Sequence, residues 1–381
     1  MTHVAAEPSK APLNTPAVIL FSVSTAAVLT VFPWYAWAYH FSLGAWAFFS
    51  FCMMATGLSI TAGYHRLWSH RAYEAHWSLR LFYMLFGGMA LQNSILIWSS
   101  MHRVHHKNVD DVDGDPYSIR RGFWFAHMGW MLRNYPTAEL DFSNARDLER
   151  DPIVMFQHRH YLALALGMNI GFPLLVGAAC GDPWGFLLLG GLLRLVVNHH
   201  CTFFINSLAH YWGRRPYTSQ NTARDNDLIA LLTYGEGYHN FHHLFQWDYR
   251  NGVRWWQFDP TKWWIAAWSA VGLTHGLKRT PEFKIQRAML QRQFEKTQAK
   301  LRACTQSGRL AVLQKLLEHE LEAFAFTLNE WKHLQAERIE AARKQIAGQW
   351  ENSEARRRFK ALEDSLRLQR RRVRLLRLQT A

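Results

Sequence analysis

The hydrophobic pattern begins with a long run without charge near the N-terminus. No Lys, Arg, Asp or Glu occurs from Ala11 to His65. Because about 20 apolar residues cross the hydrocarbon core of a bilayer, this run is long enough for two helices, which we place at roughly 18–39 and 43–63. Two further apolar runs flank the turn at 181–183 and predict spans at roughly 160–180 and 184–208. Arg194 interrupts the last of them.

A fifth apolar stretch, 81–98, is predicted to lie in the membrane interface or to fold back rather than to cross. Histidines cluster at 65–70, 102–106 and 239–243, and His210 follows the last span. A crossing by 81–98 would separate the first two clusters by the bilayer, whereas without it all clusters share one face. The sequence therefore predicts an all-α integral membrane protein, with four transmembrane helices and a helical cap that carries the histidines.

The basic residues of the loops orient these spans. The segment 66–159 contains 11 Lys and Arg, whereas the turns at 40–43 and 181–183 contain none. Cytoplasmic loops carry the excess of Lys and Arg in membrane proteins. We therefore expect the histidine face and both termini to be cytoplasmic.

Charge divides the chain into a membrane part and a basic tail. The net charge is +14, but residues 282–381 hold 22 basic and 12 acidic side chains, which leaves +4 for the rest. The basic character thus belongs mainly to the tail and does not indicate nucleic-acid binding. We predict an N-terminal segment (1–16), a membrane domain (17–284) and a basic helical extension (285–381). The extension is either a solvated helix or coiled coil, or it binds anionic lipid headgroups.

The histidine clusters are the candidate chemistry of the chain. The pattern His-x-x-His-His occurs at 102–106 and again at 239–243. Positions i, i+3 and i+4 share a face of a helix, so the histidines of each pattern project together. His65 and His70 are five residues apart and converge only where a helix ends or is distorted.

These imidazoles predict two metal ions, because nine histidines exceed the coordination of a single ion. Imidazole suits iron, copper, zinc and nickel. The four cysteines are widely separated and form no C-x-x-C motif, which excludes a thiolate zinc site and a disulfide scaffold. A structural zinc site is the alternative, but it does not explain why the histidines lie beside membrane helices.

The segments around the histidines resemble the membrane fatty acyl desaturases, and specifically their Δ9 (stearoyl-CoA-type) branch. The likeness is carried by the string ITAGYHRLWSHR at 60–71, by 206–210 and by GEGYHNFHH at 235–243, and it covers roughly 18–280. It implies a diiron centre that Asn206 joins through a water, with zinc as a substitute in purified protein. The implied histidine ligands are His65, His70, His102, His105, His106, His210, His239, His242 and His243.

The resemblance also implies the reaction. O2 and two electrons from a separate ferredoxin, rubredoxin or cytochrome remove two hydrogens from adjacent methylenes of a long acyl chain, which leaves a cis double bond. Because a methylene C–H is unactivated, this chemistry needs a metal-based oxidant. We expect a bacterial protein of the inner membrane rather than one of the endoplasmic reticulum.

By the same resemblance, residues of the second span, of the stretch 81–98 and of the last span line the acyl tunnel. Gln92, Trp98 and Thr202 correspond to its bend, and Met53 and Gly57 to its closed end. Substitution of Gly57 by Phe is then expected to shorten the acyl chain that the protein accepts.

The sequence does not determine the headgroup of the substrate. Asn93, Arg120 and Arg121 are compatible with a phosphate-bearing headgroup. Ser100 and Met101 stand where the members that use acyl-CoA carry Arg-Asp. Coenzyme A, a carrier protein and a phospholipid all remain as candidates.

Two other readings of the histidine pattern are open. A related diiron hydroxylase of alkane or lipid chains, or a carotenoid ketolase, begins with the same metal chemistry. A membrane metal transporter is the rival from another class. Transport predicts polar residues inside several spans, whereas here the histidines collect at one edge of the membrane.

Overall fold

The computed structural model describes residues 11–303, 307–343 and 354–379. Within these ranges the chain is mostly helical and divides into two compact units. The first holds the residues up to 215 together with 221–279, and the second holds 216–220 and 280–381. The first ten residues of the predicted segment 1–16 and Cys304 lie outside the described ranges.

Four helical stretches are long and apolar enough to cross a membrane: Thr15–Ala38, Leu43–Ser69, Tyr161–Ala179 and Pro183–Tyr211. The first of these, α1, buries only Ser24. Its large apolar side chains point outward, with Leu29 71% and Trp37 81% exposed. A helix with apolar side chains on all sides and little protein around it is covered by lipid. The prediction of an all-α integral membrane protein with four spans is confirmed.

Three of the spans change from α to π geometry along their length. In the second span α2 (Leu43–Leu58) continues as a π-helix (Ser59–Ser69). The third contains α8 (Tyr161–Leu166), a π-helix (Gly167–Gly171) and α9 (Phe172–Ala179). The fourth contains α10 (Pro183–Phe186), a π-helix (Leu187–Leu193), α11 (Arg194–Asn206) and α12 (Leu208–Tyr211). Such π segments frequently accompany functional sites.

The apolar stretch 81–98 is divided between two helices, α3 (Trp77–Gly88) and α4 (Ile95–Asn108). Between them Leu91 and Asn93 adopt positive φ angles of 50° and 73°, which breaks the helix. A helix of 12 residues extends about 18 Å. The hydrocarbon core is about 30 Å thick, so α3 by itself does not cross it.

The remaining elements are short. Strands β1 (Glu74–Ala75) and β2 (Thr274–His275) pair antiparallel, with Glu74 opposite His275. The other helices of the first unit are α5 (Phe123–His127), α6 (Arg146–Glu149), α7 (Pro152–Arg159), α13 (Asp227–Leu232), α14 (His239–Leu244) and α15 (Pro260–Ala270). Single 3₁₀ turns lie at Ile119–Arg121, Gly129–Met131, Pro136–Ala138 and Ser143–Ala145.

The core of the first unit surrounds the π-helix Ser59–Ser69, all of whose residues are buried. Tyr64, Trp68 and Tyr83 belong to one apolar cluster. The Gln157 amide donates to the Tyr64 hydroxyl at 2.6 Å and to the Met84 carbonyl at 2.8 Å, which ties α7 to the π-helix and α3. This packing fixes the end of the second span, where His65 and His70 lie.

Arg194, the charge inside the fourth span, is fully buried and is bound by neutral groups. Its guanidinium donates to Asn169 Oδ1 at 2.5 Å, to the Met89 carbonyl at 2.8 Å and to the Gly190 carbonyl at 2.9 Å. A charge within the bilayer is tolerated when it faces the protein interior and its donors are satisfied. The sequence could not name these partners, because two of the three acceptors are backbone carbonyls.

The second unit contains α16 (Glu282–Ala303), α17 (Ser307–Arg343) and α18 (Glu354–Gln379). These helices share an apolar core that includes Phe283, Leu290 and Leu366. The described part of the basic extension is therefore helical, and its helices pack against one another.

Candidate metal centre

A π-helix brings the first two histidines together at the end of the second span. The backbone N–H of His70 donates to the carbonyl of His65 at 3.1 Å, which is the i to i+5 bond of π geometry. In a regular α-helix residues five apart are separated by about 140° around the axis. The wider turn reduces that angle, and the two ring centroids are 4.8 Å apart.

Short or terminal helical segments present the other histidines. His102, His105 and His106 lie in the last turns of α4, and His210 lies on α12 at the end of the fourth span. The third cluster forms α14, a helix of only six residues. The buried carboxylate of Asp225 accepts from the backbone N–H groups of Asn240 and Phe241 at 2.9 and 3.2 Å, and so holds the first turn of α14.

All nine predicted histidines fall into two groups. In each group one possible ligand atom per residue lies within 4.8 Å of the others. The first group contains His65, His70, His102, His106 and His242, and the second contains His105, His210, His239 and His243.

The nitrogen atoms of the first group are arranged for metal binding rather than for hydrogen bonding with one another. The Nε2 atoms of His65 and His106 each lie 3.0 Å from Nε2 of His242. A neutral imidazole has only one N–H, so these three nitrogens cannot all satisfy one another. Two nitrogens bonded at right angles to one ion at about 2.1 Å would lie about 3 Å apart, which matches the observed spacing.

The second group has the same character. Nε2 of His239 lies 3.1 Å from Nε2 of His210 and 3.0 Å from Nε2 of His243. Burial, reinforced by repulsion from His105, lowers the pKa of His239 to about 3. Burial likewise holds the pKa of His243 well below its usual range. The rings are therefore neutral, which is the form that binds metals. The histidine cluster can bind two metal ions.

In two of the candidate ligands a carboxylate lies next to the second ring nitrogen, Nδ1. Nδ1 of His105 lies 2.8 Å from Asp115 Oδ1, and Nδ1 of His65 lies 2.9 Å from Glu236 Oε2. Such contacts fix the tautomer and the ring orientation, and they raise the basicity of a ligand histidine. Sequence reasoning assigned no role to either acid, although each lies close to a histidine cluster in the chain.

His210 is held by a hydroxyl instead. Its Nδ1 lies 2.8 Å from Thr222 Oγ1, which in turn donates to Asp110 Oδ1 at 2.5 Å. Asp110 also accepts from the backbone N–H of Thr222 at 2.7 Å. Asp110 and Thr222 are far apart in the chain, so no local pattern could have indicated this contact.

A buried ion network lies behind His65. Arg66 is 1% exposed, and its Nη2 donates to Glu236 Oε1 at 2.8 Å and lies 3.0 Å from Asp259 Oδ1. The Asn251 amide donates to the other oxygen of Glu236 at 2.7 Å. Although burial by itself raises the pKa of Glu236, attraction to His65 and Arg66 lowers it to about 2. The carboxylate facing His65 is therefore ionised.

A large cavity of about 760 Å³ reaches the histidines from one side, with His65, His102 and His239 in its wall. Its volume is within the range of small-molecule sites, about 300–1,000 Å³. Most of the residues around it are apolar or aromatic, and they include Leu20, Phe21, Ile60, Leu91, Ile97, Phe203 and Ile205.

The three residues predicted at the bend of the tunnel meet in the wall of this cavity. Gln92 Nε2 donates to Thr202 Oγ1 at 2.9 Å, and Trp98 Nε1 donates to Gln92 Oε1 at 3.3 Å. The Trp98 ring stacks on His102 with their centroids 4.9 Å apart. One hydrogen-bonded chain thus joins three separate sequence positions directly beside a candidate ligand.

Two further predicted residues, Asn206 and Asn93, also line the cavity. Asn206 shares the wall with His239, and Asn93 lies on the broken segment between α3 and α4. The water-mediated role of Asn206 in metal binding stays a prediction.

The other two predicted tunnel residues are Met53 and Gly57, which are expected at the closed end of the cavity. Neither is found among the described residues that line it. The aromatic ring of Tyr234 fills the space beside Gly57, where a Cβ would lie 2.2 Å from the ring. The Tyr234 hydroxyl donates to the Met53 carbonyl at 2.9 Å and fixes the ring there. The role of Met53 and Gly57 at the closed end of the tunnel, and the shorter accepted chain in Gly57→Phe, stay predictions.

We expect Gly57→Ala to destabilise the fold, because the added methyl group overlaps the Tyr234 ring. Overpacking of this kind costs about 1–3 kcal/mol. Thermal unfolding of the purified protein should show a lower midpoint in Gly57→Ala. Because the two side chains occupy the same space, the loss in the double variant Gly57→Ala with Tyr234→Ala should be smaller than the sum of the two single losses. Equal midpoints in the wild type and Gly57→Ala would contradict this placement of Tyr234.

The two arginines predicted to bind a headgroup lie outside the cavity wall. Arg120 is exposed. The Arg121 guanidinium lies 3.8 Å from the ring centroid of Phe125 and 4.4 Å from that of Tyr135. Cation–π stacking holds Arg121 beside Tyr135, which itself lines the cavity.

The comparisons with known proteins agree with this geometry. The model of the fatty acid desaturase family matches residues 43–278, which is more than half of the chain. The chain belongs to the fatty acid desaturase family. The match ends at residue 278, before α16 begins, so α16 to α18 lie beyond the matched region.

Curated relatives of this chain include fungal and mammalian proteins. It is 45% identical over 259 residues to acyl-CoA desaturase 1 of Saccharomyces cerevisiae, which is 68% of this chain and 51% of that protein. It is 47% identical over 237 residues to a probable acyl-CoA desaturase of Schizosaccharomyces pombe, 62% and 49% of the two chains. It is 39% identical over 246 residues to stearoyl-CoA desaturase 5 of Bos taurus, 63% and 72% of the two chains.

The chain spans about half the length of these two fungal relatives. All of the relatives named here are eukaryotic. The expectation of a bacterial protein in an inner membrane therefore finds no support.

Proposed function

We propose that this desaturase introduces a cis double bond, at the Δ9 position, into a long-chain saturated fatty acyl thioester. The observation that carries the proposal is the apolar cavity that ends on His65, His102 and His239. The reaction removes one hydrogen from each of two adjacent methylenes. With O2, two electrons and two protons, it yields the alkene and two molecules of water. The family membership and the acyl-CoA and stearoyl-CoA desaturases among the relatives support it.

We propose iron as the resident metal, held by the nine histidines with Asn206 joining through a water. Bound there, two iron ions would supply the oxidant that an unactivated methylene requires. Nitrogen sites bind Zn²⁺ more tightly than Fe²⁺, so zinc in the purified protein is compatible with an iron enzyme. Asp115 and Glu236 would keep His105 and His65 in the tautomer that leaves Nε2 free for the metal.

The cavity wall would position the acyl chain. Apolar residues around the cavity exclude water. Their contacts with methylene groups are non-directional and therefore do not by themselves fix the position of the acyl chain. Gln92, Trp98 and Thr202 supply a hydrogen-bonded ridge beside His102, which would bend the chain and select the pair of carbons next to the metals.

We propose coenzyme A as the head of the substrate, which is what the names of the relatives indicate. Ser100 carries no charge, and its hydroxyl is already bonded within the fold. It donates to the Asp141 carbonyl at 2.9 Å and lies 2.8 Å from Asn144 Oδ1. Met101 lines the cavity. Asn93, Arg120 and Arg121 remain the proposed headgroup contacts.

We propose that the histidine face and both termini are cytoplasmic, with 81–98 in the membrane interface. In this orientation a separate electron carrier reaches the metal centre from the cytoplasm. The candidate carriers are a ferredoxin, a rubredoxin and a cytochrome. The domains are proposed as 1–16, 17–284 and 285–381.

The test is lipid analysis of a yeast that lacks its own acyl-CoA desaturase and expresses this chain. We expect this yeast to grow without added unsaturated fatty acid. Mass spectrometry of its lipids should show Δ9 products. Hydroxylated chains without alkenes would favour the hydroxylase instead. Purified protein supplied with stearoyl-CoA, stearoyl carrier protein or stearoyl phospholipid would distinguish the three heads.

We expect Thr202→Val to widen the range of double-bond positions. The substitution keeps the shape of the side chain but leaves the Gln92 amide without its acceptor, so the ridge beside Trp98 loosens. Mass spectrometry of products should show positional isomers next to the main one, with total turnover reduced by less than tenfold. Thr30→Val, on the lipid-exposed first span, is the matched control. A single product isomer in Thr202→Val would contradict the role of the ridge.

A further inference from the structure

The outward side of α18 carries exposed leucines. Leu368, Leu375 and Leu378 are 55%, 58% and 56% exposed, whereas Leu366 and Val373 of the same helix are buried in the core of the second unit. Neighbours in this set are seven and three residues apart, so the three leucines lie on one side of the helix. A helix that is surrounded by water carries polar side chains on its outer side. The leucines therefore indicate an apolar partner for this side of α18.

Arginines are interleaved with these leucines. Arg371 lies three residues after Leu368 and four before Leu375, and Arg374 lies four before Leu378. This spacing places the arginines on the leucine side or at its edge. Both arginines are exposed. After residue 364, α18 contains six arginines and no acidic residue. The outward side is thus both apolar and strongly positive.

The fold uses only part of this charge. Arg372, for example, lies 2.5 Å from Glu320 of α17 and so ties the two helices together. In the part of the chain that the structure describes, no residue forms an ion pair with Arg371 or Arg374. A helix C-terminus favours cations through its macrodipole, but the macrodipole does not account for leucines beside them. The charge of these two arginines therefore faces a partner outside the second unit.

The chain itself keeps a bilayer near this helix. The second unit continues directly from residue 279 of the first unit, which contains the four spanning helices. A covalent tether raises the effective concentration of the second partner, so a weak affinity is sufficient for binding. The cytoplasmic leaflet, on the side proposed for both termini, carries the anionic phospholipids that attract basic segments.

Other partners match only one half of this surface. Nucleic acid would account for the arginines, because its phosphates attract basic side chains, but it leaves the leucines uncovered. A second copy of α18 would cover the leucines, but it would bring the same positive charge against Arg371 and Arg374. An anionic lipid surface complements both halves, since it has phosphate groups above an apolar layer.

We propose that the outward side of α18 binds the anionic phospholipid surface of the membrane. Leu368, Leu375 and Leu378 enter the boundary between headgroups and acyl chains, as the apolar side of an interfacial helix does. Arg371 and Arg374 reach back to the phosphate groups while their stems stay in the apolar layer. This anchor lies beyond the region that the family model matches and does not depend on the proposed reaction.

The first test follows trypsin cleavage of the full chain in nanodiscs. One set of discs contains phosphatidylcholine alone, and the other also contains phosphatidylglycerol. Cleavage after Arg371 and Arg374 should be slowed at least about fivefold in the anionic discs, which is the effect of one basic residue at such a surface. Cleavage after Lys315 and Lys332, both exposed on α17, is the internal control and should be equal in the two discs. Equal cleavage after Arg371 and Arg374 in the two discs would overturn the proposal.

The second test uses variants and adds anionic vesicles to the full chain in neutral nanodiscs. At low salt, phosphatidylglycerol vesicles should bind the discs in a flotation assay, and phosphatidylcholine vesicles should not. Arg371→Gln with Arg374→Gln should weaken this binding about 25-fold, since each basic residue contributes about fivefold. The matched control, Lys315→Gln with Lys332→Gln, has the same net charge and should bind as the wild type does. Leu375→Ser should weaken binding without changing its salt dependence.

Three outcomes of the second test would overturn the proposal. Equal weakening by the two double variants would show that net charge, rather than this side of α18, attracts the vesicles. Pairing of discs without vesicles that Leu375→Ser abolishes would identify a second copy as the partner. Displacement of the vesicles by RNA, with RNA binding unchanged in Leu375→Ser, would identify nucleic acid. Because the substituted side chains are exposed, all variants should unfold at the temperature of the wild type, so that a loss of binding reports the surface.

Discussion

His242→Ala is expected to abolish formation of unsaturated product. Nε2 of His242 lies 3.0 Å from the Nε2 atoms of both His65 and His106, so it stands in the middle of the first group. Removing it opens the proposed coordination of one metal while leaving the cavity intact. We expect product to fall by at least about 100-fold, because the loss of an outer-shell partner of a ligand already costs about 10–100-fold. Lipid mass spectrometry in the complemented yeast measures it.

The matched control is His160→Ala, which removes an exposed histidine that belongs to neither group. That variant should keep the lipid profile of the wild type. Metal analysis of the purified proteins provides a second readout, in which His242→Ala should lose at least half of the bound metal. An unchanged lipid profile in His242→Ala would remove the catalytic proposal, and His106→Ala should behave in the same way.

Glu236→Gln is expected to be the most destabilising conservative substitution near the site. The carboxylate is 2% exposed and binds Arg66, Asn251 and His65. Neutralising it leaves the buried charge of Arg66 with Asp259 as its remaining carboxylate partner. Removing one partner of a buried ion pair costs about 3–5 kcal/mol. Thermal unfolding near neutral pH should show a markedly lower midpoint, and metal content should fall because His65 loses its orienting acceptor.

The effect of Glu236→Gln should depend on pH. The pKa of Glu236 is lowered to about 2 in the folded protein, whereas an unfolded glutamate titrates near 4.3. A group with a depressed folded pKa stabilises the fold above its unfolded pKa, and this contribution is lost as the pH falls toward the folded value. The difference in midpoint between wild type and variant should thus be full near pH 7 and shrink between about pH 4.3 and 2.

Glu74→Gln is the matched control for this substitution. Glu74 is exposed and pairs with His275 at 3.0 Å at the surface. An exposed pair contributes little, so the midpoint of this variant should stay near that of the wild type. A Glu236→Gln protein as stable as Glu74→Gln would show that the buried network does not stabilise the fold.

The sequence by itself determined the membrane architecture, because hydrophobic length is a local property. The uncharged run 11–65 and the runs around 181–183 predicted four spans, and four spanning helices are present. It also supplied all nine histidines of the two groups. The i, i+3 and i+4 spacing puts six of them on two helix faces, and the resemblance adds His65, His70 and His210 to the set. The family followed from the strings around those histidines.

Tertiary structure decided which histidines belong together. His102, His105 and His106 are neighbours on α4, yet His105 belongs to the other group. The i to i+5 bond between His65 and His70 arises from packing of the second span. Local residue propensities do not predict this π-helix. The acids Asp115, Glu236 and Asp110 acquire their roles only where distant segments meet.

Tertiary structure also decided what surrounds Gly57. The ring of Tyr234, distant in the chain, fills the space beside it. Spacing along a helix fixes which face a residue occupies, whereas the partner across that face depends on segments that only folding brings together.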